Sequence, residues 1–169
     1  MKKFKKLISF AVIFAGISTA AFAQTATATS NAAAVIIAPL SITNTAGLHF
    51  GTIMRSATAG TVTITTDGTR SSLGGVTLSA LAPLHSAATF DLEGESGNEV
   101  LITLPVSTTI TNGTQTMTVD NFVSDPDDAN PVTLTGAATV LRVGATLNVD
   151  ADQPSGTYNG TFNVRVDYN

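Results

Sequence analysis

The residues best suited to chemistry are few. They are His49 in GLHFGT, His85 in APLHSA, and two acidic loops, EGESGNE from Glu93 to Glu99 and SDPDDANP from Ser124 to Pro131. A histidine becomes a base, a triad member or a metal ligand through a second group held beside it. Neither histidine has an acid at a spacing that suggests such a pair, so both are read as structural. The acidic loops place hard oxygen ligands at alternate positions, the arrangement that suits Ca²⁺. Neither sets a glycine and a distal glutamate in the register of a twelve-residue calcium loop, so both are read as solvated turns. The chain has no cysteine, which removes thiolate nucleophiles, thiolate metal sites and disulfides. No G-x-S-x-G, H-E-x-x-H, phosphate-loop or dinucleotide pattern occurs. The expectation is a protein with no catalysis, no cofactor and no metal.

What must be positioned is therefore a surface. MKKFKK, LISFAVIFAGIST and Ala21-Phe22-Ala23 have the basic, apolar and small-x-small form of a secretory signal peptide, expected to be cleaved after Ala23. The apolar run is too short to span a bilayer, and no other segment approaches that length. The expected location is the periplasm, the cell surface or the medium. All four lysines (Lys2, Lys3, Lys5 and Lys6) lie in that leader. The remainder sets Arg55, Arg70, Arg142 and Arg165 against twelve acids, which offers no basic face to a nucleic acid.

The elements expected after Ala23 are strands. Threonine, valine, alanine and glycine abound, and no window of helical periodicity appears. Alternating runs between turn signals predict strands at Ala33–Ile42, Gly60–Thr66, Gly75–Ala82, Thr89–Leu92, Glu99–Leu104, Ser107–Ile110, Gln115–Phe122, Val132–Thr135, Thr139–Val143, Thr146–Val149 and Tyr158–Tyr168. Asp67-Gly68 and Asn112-Gly113 read as hairpin turns, and Gln153-Pro154-Ser155-Gly156 as the turn feeding the last strand. That last strand is the clearest. Tyr158, Phe162, Val164, Val166 and Tyr168 share one parity, interrupted by Gly160, with polar residues between them. The run from Gln24 to Ala34 holds no large apolar side chain, apolar content rises at Val35-Ile36-Ile37, and Pro39 then interrupts any ladder. The divisions expected are a signal peptide over 1–23, an extended segment over 24–37 and an all-β antiparallel sandwich over 38–169.

The tail GATLNVDADQPSGTYNGTFNVRVDYN resembles the closing segment of chaperone–usher pilins and of spore-coat-protein-U-like secreted proteins. AAAVIIAPLSITNTAGLHFGTI, together with GTVTI and GATLNV, is similar to a domain-of-unknown-function family of secreted Gram-negative β proteins. The pilin resemblance implies an immunoglobulin-like sandwich that lacks its final strand and leaves a groove beside the C-terminal strand. A periplasmic chaperone would fill that groove first, and at an outer-membrane usher the N-terminal extension of a neighbouring subunit would replace it. On this reading Tyr158, Phe162, Val164, Val166 and Tyr168 form the acceptor strand. Ala26, Ala28, Ala32, Ala34 and Ile36 form one donor face; Ala33, Val35 and Ile37 form the other parity. The expected function is a structural subunit of a pilus-like or surface assembly whose partners are copies of itself or related subunits. The alternative is a self-complete sandwich that binds a glycan or matrix component, with Ala33–Ile42 covering its own last strand.

Overall fold

A computed structural model describes residues 24–169; the expected signal peptide lies outside the described residues. Its strands are β1 (Ser41–Ala46), β2 (His49–Phe50), β3 (Ile53–Met54), β4 (Gly60–Ile64), β5 (Arg70–Gly74), β6 (Thr77–Leu78), β7 (His85–Ser86), β8 (Ala88–Glu93), β9 (Glu99–Thr103), β10 (Ser107–Thr111), β11 (Thr116–Asp125), β12 (Val132–Thr133), β13 (Thr139–Val149) and β14 (Arg165–Tyr168). Every pairing is antiparallel, and the described residues contain no helix. The fold is an all-β sandwich with one large curled sheet.

The large sheet is built around β13. One edge of β13 pairs with β11; the other pairs first with β8 and then with β4. Sequence alternation splits this strand at Gly144, but it is continuous. A Cβ at Gly144 would lie 2.3 Å from the carbonyl oxygen of Ile64, so the glycine admits the end of β4 where the partner changes. The outer strands are β1 on β8, β10 on β11 and β5 on β4. At the β4–β5 turn the Asp67 carboxylate is held below the usual aspartate range. The cause is first the Thr65 hydroxyl, then the amide and hydroxyl of Thr69, all donating to it.

The second layer is smaller: β12, β9 and β14 in that order. It covers a core of Ala88, Leu92, Val100, Ile102, Leu134, Leu141 and Val143. A second core group, Val62, Met117, Val119, Ala145 and Leu147, lies along β4, β11 and the later half of β13, joined by Val76 from between β5 and β6. Partly buried side chains, among them Phe50, Ile53, Ile110 and Tyr158, pack on this second group.

The closing strand is shorter as a ladder than its alternation predicts. Arg165–Tyr168 pairs with Val100–Thr103, and upstream only Asn159 bridges, to Thr111. Asn159 and Thr111 exchange both backbone hydrogen bonds, at 2.8 and 2.9 Å. The parity is as expected: Tyr158, Phe162, Val164, Val166 and Tyr168 are all half-buried. Gly160 breaks the pattern for a steric reason, since a Cβ there would meet the Thr109 carbonyl oxygen at 2.6 Å.

The strand expected at Ala33–Ile42 begins only at Ser41. Residues 24–40 belong to no strand, and residues 24–37 are all exposed. The alanine-rich run has too little apolar surface to cover a core, and the chain is held at Ala38 by side chains instead of a ladder. Ala38 donates its N–H to Glu95 Oε2 (2.9 Å), and its carbonyl accepts from the Tyr168 hydroxyl (2.9 Å). The Tyr168 oxygen in turn accepts the Glu95 N–H (2.8 Å). Glu95 of the first acidic loop is thus engaged structurally.

Candidate functional site

A cleft of about 790 Å³ opens over the second core group. Its floor includes Met117, Val119 and Leu147. One wall is the stretch from Gly47 to Arg55, which carries β2 and β3; the other runs from Gln153 to Phe162. Phe90 and Phe162 also line the cleft, while packing against the covered core. Their rings meet edge to face at 6.3 Å, and Phe162 tilts against Phe122 at 5.0 Å. This aromatic group is the boundary between core that a second layer covers and core that faces the opening.

The two walls are built differently. The C-terminal wall is tied along β10 by the Asn159–Thr111 bridge and by the Thr108 hydroxyl donating to the Thr161 carbonyl (2.8 Å). Apart from these contacts and the β9–β14 ladder, residues 160–168 make no strand pairing among the described residues. Their second edge therefore keeps its backbone groups available. Gln153, almost fully buried, fixes the turn that begins this wall. Its Nε2 donates to the Tyr158 hydroxyl oxygen (2.9 Å) and to the Thr116 carbonyl (3.3 Å), while the Tyr158 hydroxyl donates to the Pro154 carbonyl (2.8 Å). The opposite wall has only two short ladders, β2 with β7 and β3 with β6. Gly51 stands between them with φ +72°, a conformation glycine adopts without steric cost.

Of the residues expected to form an acceptor face, Tyr158 and Phe162 line the cleft. Val164, Val166 and Tyr168 continue the same parity onto the covered core. Ala26, Ala28, Ala32, Ala34 and Ile36 are exposed and unpaired in any strand, as are Ala33, Val35 and Ile37. Val35 and Ile36 are 89% and 95% exposed, an unusual state for adjacent β-branched residues. Sequence reasoning placed Gln153 in a turn and Gly160 as a break in the alternation without giving either a role, and it missed the β2–β3 wall. The Gly47-Leu48-His49-Phe50-Gly51 run carried the wall's only signal, two glycines bracketing an apolar pair.

The histidines lie in one two-residue ladder. His49 pairs with Ser86, and Phe50 with His85. His49 lines the cleft, whereas His85 borders a shallow polar hollow with Asp67, Ser86 and Arg142. Among the described residues neither donates to or accepts from a carboxylate, and no three metal-ligating side chains converge. In the second acidic loop Asp127 bonds the Ala129 N–H (3.1 Å) and the Asn130 amide (3.3 Å), which closes a turn.

Residues 40–168 match the family described as a domain of unknown function, DUF4402. The chain belongs to this family. The match takes in both walls of the cleft and its floor. No curated protein and no solved structure matches the chain. No helix among the described residues is long and apolar enough to cross a membrane.

Proposed function

We propose that this DUF4402 protein is a non-enzymatic structural subunit, exported to the cell surface, that assembles by strand donation between copies. The observation that carries the reading is the cleft. It lies over apolar core, between a weakly paired wall and a closing segment that forms a ladder only at Arg165–Tyr168, an arrangement that leaves backbone groups for an added strand. The donor is Gln24–Ile37 of a neighbouring copy. At ~3.3 Å per residue this segment reaches about 46 Å, longer than the closing strand it would follow. Val35, Ile36 and Ile37 supply its large apolar side chains, and burying them removes surface otherwise left in water. Pro39, lacking an N–H, and the anchoring of Ala38 both separate the donor from the domain that carries it.

Deletion of residues 24–34 tests this reading. Size-exclusion chromatography and electron microscopy of the intact exported chain should show assemblies, and the deleted chain only monomers. A monomer in both cases would favour a self-complete sandwich.

A further inference from the structure

The wall from His49 to Met54 has two ladders of two residues each, too few to hold a strand firmly beside an open cleft. A single side chain supplies what the ladders lack. Arg70, on β5, lies partly buried behind this wall. Its Nη1 donates to the carbonyls of Phe50 (3.0 Å) and Thr52 (3.3 Å), and its Nη2 to the carbonyl of Ser79 (2.7 Å). The Thr52 carbonyl also accepts the Ser79 N–H at 3.1 Å, so the guanidinium closes a knot already begun by the backbone. The sequence makes room for it at Gly51, where a Cβ would lie 2.4 Å from Nη1. Neither of the two salt bridges among the described residues involves Arg70; carbonyl dipoles serve its charge instead.

We infer that Arg70 is the positioning residue of the cleft, a latch that holds the Phe50–Thr52 wall at the spacing an incoming strand requires. Three carbonyls on two separate segments need donors spread in a plane, which a guanidinium provides. A lysine ammonium is a compact donor on a flexible stem and cannot span them in the same way. With the latch lost, the wall samples positions that do not fit a strand. Apparent affinity then falls with the fraction of competent cleft.

Arg70→Lys in the full exported chain tests this inference with two readouts. Hydrogen exchange needs no partner: the variant should speed exchange of the amides from Phe50 to Met54 and at Ser79, with β11 and β13 unchanged. Unchanged exchange at the wall would overturn the latch. Uniformly faster exchange throughout the sandwich would overturn it too, by showing a general stability role. The second readout rests on the proposed strand-accepting function. A labelled Gln24–Ile37 peptide should bind the variant roughly ten-fold more weakly than the wild-type chain, as expected if about a tenth of the clefts stay competent. Equal affinity would overturn the inference. If the peptide ignores the wild-type chain as well, strand acceptance itself fails, and the exchange pattern alone decides the latch.

Discussion

Phe162 and Arg165 sit three positions apart in the closing segment and do opposite things. Phe162 packs on Phe90 and Phe122 where covered core meets the cleft, whereas the Arg165 side chain is 74% exposed and pairs only with Asp167. Phe162→Ala should destabilise the domain by about 3 kcal/mol, the lower end for a phenylalanine because one side of the ring is open. Arg165→Ala should change stability by less than ~0.5 kcal/mol, since an exposed ion pair contributes little. Chemical denaturation of both variants checks the pair, and equal losses would contradict the assigned faces. This contrast was legible in the sequence because period-two alternation reports which face is buried. Arg70 was not legible. Its partners are backbone carbonyls, and no residue type in the sequence marks a carbonyl that lacks a ladder donor.

Among the elements, a run with apolar residues at alternate buried positions matched expectation closely, as at Glu99–Thr103, and so did Ser107–Thr111, which the Asn112-Gly113 turn marked. Others without apolar alternation did not. The polar run RSSLG forms β5 by its ladder with β4, and its composition gave no warning of a strand. The reverse error occurred at Ala33–Leu40, where strand-like composition lacks both a partner and large side chains to bury. Glycines misled in an informative way: Gly144 looked like a gap between strands and Gly160 like a flaw in one. Each marks a close approach of another strand's backbone, to Ile64 and to Thr109 respectively. Gly160→Val should therefore break the Asn159–Thr111 bridge and detach the cleft's C-terminal wall from β10. The expected signs are fast exchange at the Thr111 and Asn159 amides and retained protection in the β9–β14 ladder. Retained protection at Thr111 would show that the wall does not depend on this approach.

At the level of the whole molecule, the all-β class and the antiparallel sandwich were readable from composition and turn spacing. The cleft was not, because it depends on which strands fail to meet. The second layer has β12 and β14 at its edges, and the core of Val62, Met117, Val119 and Leu147 forms a group separate from the one this layer covers. On the proposed function, a strand that closes the cleft would add stability, and the exposed fourteen-residue segment Gln24–Ile37 of a neighbour is the strand proposed to do so. The most direct measurement is a hydrogen-exchange footprint of the chain from Gln24 to Asn169 with and without excess Gln24–Ile37 peptide. The account predicts slowed exchange confined to the two cleft walls, Phe50–Met54 and residues 160–162. A chain whose walls exchange identically with and without the peptide would contradict strand donation as the function of this cleft.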